Sequence, residues 1–220
     1  MGLVMSILKN LIGGLAAAGV MIGAASAATV TLAGETFDES RLADSAFLGT
    51  GTFDSFDLAN GTVPSINDAF TDGDLNTGGR CDFAGNPGCS FAVVFDGGIA
   101  NQAGDDLRIF GIGVGTPGSE LFDVIINGSR INNLQLSATG ETLAGFAVSA
   151  LSLDLEDFGI AFGDVIDSIS IIVNSNTNPE EFAEFVSLNE SLATPIPAAF
   201  LIFLGGAAGL FGASRKKQKA

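Results

Sequence analysis

The chain has 220 residues, with 25 acidic and nine basic side chains and no histidine, tryptophan or tyrosine. The lack of histidine excludes a Ser-His-Asp triad, a Cys-His pair and any His-ligated zinc or haem site. Lysine is confined to the two ends of the chain, which excludes Schiff-base and Ser-Lys chemistry between them, and a formal net charge of −16 would repel nucleic acid.

The N-terminal segment has the pattern of a secretory signal peptide. Lys9 precedes an apolar run of thirteen residues, and Ala25 and Ala27 occupy the −3 and −1 positions of a small-residue cleavage site. We therefore expect residues 1–27 to form a signal helix that signal peptidase removes after Ala27. Translation from Met5 instead of the first methionine stays open, because it would bring the lysine closer to the N-terminus.

Residues 28–193 are expected to form one domain with a full hydrophobic core. This stretch contains all 25 acidic residues and only four arginines, a net charge of −21. Short runs rich in β-branched and aromatic residues alternate with turn residues, and Asn127-Gly128 between two such runs indicates a β-hairpin. Only residues 154–159 have the pattern of a helical turn. The domain is therefore predicted to be all-β, a single antiparallel β-sandwich.

Cys81 and Cys89 enclose a seven-residue segment that contains two glycines and a proline. Two cysteines across such a loop in an exported protein predict a disulfide, and their spacing matches no zinc or redox motif. Closing this ring would stabilise the fold by about 2.5 kcal/mol through the entropy of the unfolded chain.

Oxygen-bearing side chains cluster within nine residues, at Asp68, Asp72, Asp74 and Asn76. Calcium takes six to eight oxygen ligands, which closely spaced Asp and Asn side chains and free carbonyls can supply. The EF-hand pattern is not met, since Phe83 occupies the position that requires Glu. The cluster could therefore hold calcium as a cofactor of this protein, or it could be a solvated acidic turn.

The adjacent carboxylates Asp105 and Asp106 could act as the acid pair of a glycoside hydrolase or form a second metal site. Among 25 acids, however, any pair can be chosen, so this pattern has little specificity. A turn before the strand that begins near Leu107 is the favoured interpretation. No catalytic residue is assigned, and the protein is not expected to be an enzyme.

The C-terminal segment, residues 194–220, has three parts. Pro195 and Pro197 precede an uncharged apolar stretch over 198–213, which would form a transmembrane helix, and a basic tail follows over 215–219. The basic residues that would hold this end in the cytoplasm include Arg215, Lys216 and Lys217.

This tail resembles the PEP-CTERM sorting signal, in the variant whose motif reads Val-Pro-Leu-Pro-Ala. Here Thr194 and Ile196 replace Val and Leu, whereas both prolines and Ala198 are retained. The resemblance implies removal of the tail by an exosortase, a membrane protease-transpeptidase. It also implies an inner-membrane precursor and delivery to the cell surface or extracellular matrix of a Gram-negative bacterium. An ordinary C-terminal anchor is the alternative.

A second resemblance covers about residues 45–190. The 72–77 loop, the strand after Asp106, the Asn127-Gly128 hairpin and a closing strand at 184–186 are similar in order to jelly rolls of the galactose-binding-domain-like class. The resemblance implies a jelly-roll fold. It also implies a structural calcium between the early loop and a carboxylate near the last strand, which makes Glu184 a candidate ligand.

Together these features indicate an exported, exosortase-sorted surface or matrix protein that is a non-enzymatic component of an exopolysaccharide or biofilm layer. The expected partners are signal peptidase, exosortase, extracellular polysaccharide and, transiently, the inner membrane. Nucleic acid is not expected. A carboxylate-based glycan hydrolase and a calcium-dependent adhesion or glycan-binding module are the alternatives, although the lack of Trp and Tyr counts against strong sugar binding.

Overall fold

The computed structural model describes residues 28–61, 64–82, 89–113, 121–173 and 181–189, and the statements below concern these residues. Thirteen β-strands dominate them, with one short α-helix and two 3₁₀ turns. The helix is α1 (Ile66–Thr71), and the turns are Glu39–Arg41 and Leu155–Phe158. The strands are β1 (Thr29–Leu32), β2 (Glu35–Asp38), β3 (Ser45–Thr50), β4 (Thr52–Asp57), β5 (Thr77–Asp82), β6 (Cys89–Ala100), β7 (Leu107–Gly113), β8 (Phe122–Ile126), β9 (Ser129–Leu134), β10 (Ser137–Leu143), β11 (Phe146–Leu153), β12 (Val165–Val173) and β13 (Glu181–Ser187).

The strands form two large sheets and a separate hairpin of β1 and β2. One sheet has six strands in the order β10-β11-β7-β13-β5-β4, and the other has five in the order β3-β6-β12-β8-β9. The strand pairs are antiparallel. Successive strands often change sheet, as from β5 to β6 and from β6 to β7, so the two sheets are connected at many points.

The main hydrophobic core contains buried side chains from both sheets. Phenylalanine rings form its centre. The Phe91 ring of the five-stranded sheet lies 5.3 Å from the Phe182 ring of the six-stranded sheet, and Phe122 lies 5.1 Å from Phe182, both edge to face. Such interlocking of two inner faces is the packing of a β-sandwich. The prediction of an all-β, antiparallel sandwich is confirmed to this extent.

A second, smaller core covers part of the outer face of the six-stranded sheet. Leu32 and Phe37 of the β1–β2 hairpin are buried in it, and the Phe37 ring meets that of Phe110 in β7 at a centroid distance of 6.1 Å. Strand β13 therefore has apolar neighbours on both faces, with Phe182 in the main core and Val186 in the smaller one. This double burial explains why residues 182–187 of β13 are all buried, without the alternation of buried and exposed positions that a one-sided strand shows.

Helix α1 was not expected, because only residues 154–159 were predicted to turn helically. The 154–159 turn is present as a 3₁₀ turn, but the helix at Ile66–Thr71 corrects the prediction. Its N-cap is Ser65, whose hydroxyl accepts the N–H of Asp68 at 3.1 Å and donates to the Asp68 carboxylate at 2.8 Å. Burial of Phe70 in the main core stabilises this single short element, which local propensity alone would not.

Two further local predictions are confirmed. Asn127 and Gly128 connect β8 to β9 with φ of 48° and 83°, the positive values that a tight hairpin requires. Cys81 and Cys89 form a disulfide with a Cα–Cα distance of 5.6 Å. Because one cysteine belongs to β5 and the other to β6, the bond joins the two sheets.

Candidate cation site

The loop between α1 and β5 carries the predicted calcium ligands, and hydrogen bonds fix its first carboxylate. Asp72 accepts the N–H of Asp74 at 2.9 Å. Its two oxygens also lie 2.9 and 2.8 Å from the hydroxyl of Thr77, the first residue of β5. The Asp72 carboxylate is thus held in one orientation at the point where the chain enters the sheet.

The other two predicted loop ligands bond mainly to each other. The carboxylate of Asp74 accepts the backbone N–H of Asn76 at 2.9 Å and its side-chain amide at 2.7 Å. This is an Asx-type turn, in which a short polar side chain replaces a backbone partner. Asp68 also has a hydrogen-bond partner, since its carboxylate accepts the hydroxyl of Ser65, the N-cap residue of α1.

The structure brings Glu184 of β13 directly against this loop. Its Oε1 accepts the N–H of Gly73 at 2.7 Å, across 111 positions of sequence. Gly73 has φ of 72°, and a Cβ there would lie 3.0 Å from the Leu42 side chain, so glycine allows the close approach. Glu184, which the resemblance to jelly rolls implied as a candidate ligand, therefore lies beside the 72–76 loop.

Glu184 is fully buried, and its second oxygen is poorly satisfied. The residue is 0 % exposed, and Oε2 has no well-formed hydrogen bond within the part of the chain that the structure describes. Burial raises the pKa of Glu184 well above its ordinary value, and the neighbouring Asp72 carboxylate raises it further, while the bond from Gly73 acts in the opposite direction. A proton shared with Asp72, or a cation between the two carboxylates, would lower the free-energy cost of burying Glu184 beside Asp72.

An open pocket of about 340 Å³ adjoins the loop and provides access to it. Three of its lining residues are acidic and none is basic, so that its potential favours a cation. We call it the acidic pocket; it is lined by Val30, Glu39, Leu42, Ala43, Asp44, Thr71, Asp72 and Gly73.

Apart from Asp68, which bonds to the N-cap residue of α1, the predicted calcium ligands separate into two pairs. Asp72 and Glu184 lie together, whereas Asp74 and Asn76 bond to each other on the same loop. Within residues 28–61, 64–82, 89–113, 121–173 and 181–189, no three acidic or cysteine side chains converge in a ready-made metal cluster. An ion at Asp72 and Glu184 would therefore need backbone carbonyls or water to complete its six to eight oxygens.

Asp106 has a structural function that the sequence indicated only as a turn. It is fully buried, and its carboxylate accepts three hydrogen bonds, from Gln102 N at 2.8 Å, Asn189 Nδ2 at 2.7 Å and Leu155 N at 2.9 Å. One side chain therefore connects the β6–β7 connection, the 3₁₀ turn after β11 and the chain after β13. Its neighbour Asp105 is exposed.

The sorting and cleavage residues lie outside the described residues. These are Ala25 and Ala27 at the N-terminal end, and Pro195, Pro197, Ala198, Arg215, Lys216 and Lys217 at the C-terminal end. The helices that the structure does describe are too short and too polar to cross a bilayer. No known family model matches the sequence, and no curated protein shows significant similarity to it. Function must be inferred from the residues themselves.

Proposed function

We propose that this chain is an exported, exosortase-sorted surface or matrix protein, and a non-enzymatic component of an extracellular polysaccharide layer. The observation that carries the proposal is the three-part tail of residues 194–219, with a signal peptide at the opposite end. The bond between Cys81 and Cys89 supports it, because disulfides form and persist in oxidising compartments outside the cytoplasm.

The use of the carboxylates also supports a non-enzymatic role. Asp106 accepts three hydrogen bonds that join separate segments, and Asp123 binds both Arg130 and the N–H of Asn133. These two buried acids stabilise the fold, and Asp106 is therefore not free to act as one of the two carboxyls that a glycosidase needs in one cleft.

For the fold, we propose a jelly roll. The strand order is β5-β13-β7-β11 in one sheet and β6-β12-β8-β9 in the other. It supports a jelly roll, because consecutive strands of this set alternate between the sheets except at the β8–β9 hairpin, as in two interlocked Greek keys. The β1–β2 hairpin, β3, β4 and β10 are additions to this arrangement of eight strands.

The sorting proposal is tested on protein from the native host by intact-mass analysis. We expect a mature chain that begins at Ala28 and lacks residues 215–220. In cells without the exosortase, and in a variant with both Pro195 and Pro197 replaced by alanine, the tail should be retained. A full-length C-terminus in unmodified cells would reduce the tail to an ordinary membrane anchor.

As a second candidate function, we propose that Asp72 and Glu184 hold a structural calcium ion. The protein would then be a calcium-dependent adhesion or glycan-binding module. The observation that favours it is the unsatisfied Oε2 of the buried Glu184 beside a second carboxylate. Calcium would neutralise both groups and bind the 72–76 loop to β13. Asp74 and Asn76 would contribute only through a rearrangement of their mutual hydrogen bonds.

Calorimetric melting of the full chain in a zwitterionic detergent tests the calcium proposal. At a calcium concentration 100 times the Kd, stabilisation should be about 2.7 kcal/mol. Magnesium should act much more weakly, because it prefers octahedral geometry and gives up water reluctantly. Equal effects of both ions, or an equal calcium effect in Glu184→Gln, would indicate general screening and contradict the site.

A further inference from the structure

The outer face of the six-stranded sheet is only partly covered. The β1–β2 hairpin and the smaller core lie over Phe110 and Val186, but the neighbouring part of the same face is open. There the strands β4, β5, β7, β11 and β13 line a groove of about 200 Å³. We call it the sheet groove, and its walls include Asp54, Phe56, Arg80, Ile112, Phe146 and Glu181.

One part of the sheet groove is apolar and flat. Phe56 of β4 lies opposite Gly78 of β5, and a Cβ at Gly78 would come within 2.8 Å of the Phe56 ring. Because Gly78 has no side chain, the Phe56 ring can pack against the backbone of the neighbouring strand. Phe146 continues the apolar surface on β11 and packs against the smaller core, which includes the buried Ile112 of β7. The Phe56 and Phe146 side chains are only partly buried.

The other part of the sheet groove is a charged triad on adjacent strands. Arg80 of β5 donates to Glu181 of β13 at 2.9 Å and lies 3.5 Å from Asp54 of β4. The Arg80 and Asp54 side chains are 45 % and 58 % exposed, so both can reach a ligand. Burial raises the pKa of Glu181, although the adjacent Arg80 acts to lower it.

These features restrict the chemistry of an occupant. Two carboxylates and one guanidinium give the groove a net negative charge when ionised, and the whole domain carries −21, so an anionic ligand would be repelled. A purely apolar ligand would bury the triad without replacing its contacts with water, which is costly. A neutral sugar ring satisfies both parts, since its C–H face can lie on an aromatic ring while its hydroxyls donate to carboxylates and accept from arginine.

From this geometry we propose that the sheet groove binds one ring of a neutral glycan, with Phe56 as the stacking platform and Arg80, Asp54 and Glu181 as hydroxyl partners. This rests on the proposed function, because it identifies the polysaccharide class that the matrix protein contacts. Phe offers no hydrogen bond of its own and the groove is small, so binding of a single short oligosaccharide should be weak, with a Kd on the order of 1 mM. Multivalent attachment to a polymer would strengthen it.

Saturation-transfer NMR with the full chain in a zwitterionic, sugar-free detergent tests the proposal. The probes are neutral tetrasaccharides of glucose, galactose and mannose, with tetragalacturonate as the anionic comparison. We expect saturation transfer to at least one neutral probe and none to the anionic one. Phe56→Ala should weaken the Kd by about 5- to 10-fold, the usual contribution of an aromatic contact.

Phe47→Ala is the matched control, since Phe47 lies on β3 in the other sheet and is 58 % exposed. It should leave binding unchanged. Asp54→Asn, at an exposed position, should also weaken binding while calorimetric melting shows an intact fold. Three results would overturn the proposal. They are an equal loss of affinity in Phe47→Ala and Phe56→Ala, stronger binding of tetragalacturonate than of the neutral probes, and no saturation transfer to any neutral probe. None of these results would affect the termini measured by mass, so the groove and the sorting proposal can fail independently.

Discussion

Glu184 is a charged residue placed in a strand that is otherwise buried on both faces. A β-bulge between Phe182 and Glu184 changes the local register, and the Gly73 N–H satisfies one of its oxygens. Burial of an incompletely satisfied carboxylate beside a second one costs stability, and natural proteins keep such arrangements mainly at functional positions. At the scale of the single residue, Glu184 is therefore the strongest indication of a site in the described structure.

The raised pKa of Glu184 gives a pH dependence with a definite sign. Because the folded state holds the proton more tightly than the unfolded state, this residue favours folding at acidic pH. That contribution is lost as the pH rises from the ordinary glutamate pKa through the raised pKa of the folded protein. In EDTA, the stability of Glu184→Gln should not fall over this pH range, because glutamine does not ionise. At neutral pH the variant should therefore be more stable than wild type by about 1–3 kcal/mol. Denaturant unfolding between pH 4 and pH 8 measures the difference.

Glu141→Gln is the control for this prediction, since Glu141 is exposed on β10. Its stability should follow the wild-type curve. If Glu184→Gln retains the wild-type pH dependence, the carboxyl of Glu184 is not the group responsible.

Asp106 provides a second test at the residue scale. Asp106→Asn keeps the size of the side chain but replaces one accepting oxygen by an amide donor that faces an N–H group. One of the bonds to Gln102, Asn189 or Leu155 must then be lost. We expect a loss of about 1–3 kcal/mol in the free energy of unfolding. Asp105→Asn, at the exposed neighbouring position, should change stability by less than about 0.5 kcal/mol, and a similar loss in both variants would contradict the structural role of Asp106.

At the scale of the element, β5 contains two adjacent glycines, Gly78 and Gly79, which leave room on both faces of the sheet. The Phe56 ring occupies the space beside Gly78 on the outer face, and Phe53 occupies the space beside Gly79 toward the main core. Phe53 in turn packs edge to face on Phe70 at 5.2 Å, so that α1 is coupled to β4 through this contact. Small residues in β5 thus determine where aromatic residues from its neighbours can lie.

Gly79→Ala should destabilise the protein. The added Cβ would lie 2.0 Å from the Phe53 ring, which must then move within a packed aromatic cluster. Overpacking of this kind typically costs about 1–3 kcal/mol, which denaturant unfolding can measure. Gly97→Ala in β6 is the matched control, because its Cβ would meet nothing within 4 Å. A loss of similar size in both variants would mean that crowding of the Phe53 ring is not its cause.

At the scale of the whole molecule, the disulfide is a covalent cross-link between two sheets, in addition to their apolar packing and the chain connections between them. Cys81 and Cys89 are buried, with 0 % and 2 % exposure, at the ends of β5 and β6 that the connecting loop joins. The link restricts the unfolded chain much more than the folded one.

Replacement of both Cys81 and Cys89 by alanine should lower the free energy of unfolding by about 2.5 kcal/mol. For a domain of this size the melting temperature should fall by roughly 5–10 °C, which calorimetry measures directly. Dithiothreitol should lower the wild-type melting temperature toward that of the double variant and leave the variant unchanged. A reductant effect of equal size on both proteins would contradict the stabilising role of the bond.

The sequence alone determined the features that depend on neighbouring residues. The all-β composition, the Asn127-Gly128 hairpin and the turn near residues 154–159 follow from local backbone preferences, and the Cys81–Cys89 bond follows from a short loop between two cysteines. The sorting signal is likewise a local pattern, and it stays a prediction because residues 190–220 lie outside the described structure.

The tertiary structure decided what depends on contacts between distant residues. The Ser65 cap of helix α1 is a local signal, but the burial of Phe70 that stabilises so short a helix depends on distant residues. The resemblance to jelly rolls suggested Glu184 as a partner of the 72–76 loop, but its burial and its unsatisfied Oε2 depend on the layer that covers β13. The sheet groove was not predicted at all, since its walls come from five strands whose order in the sheet differs from their order in the chain. Burial and strand order are properties of the folded chain, which explains why no local pattern contained them.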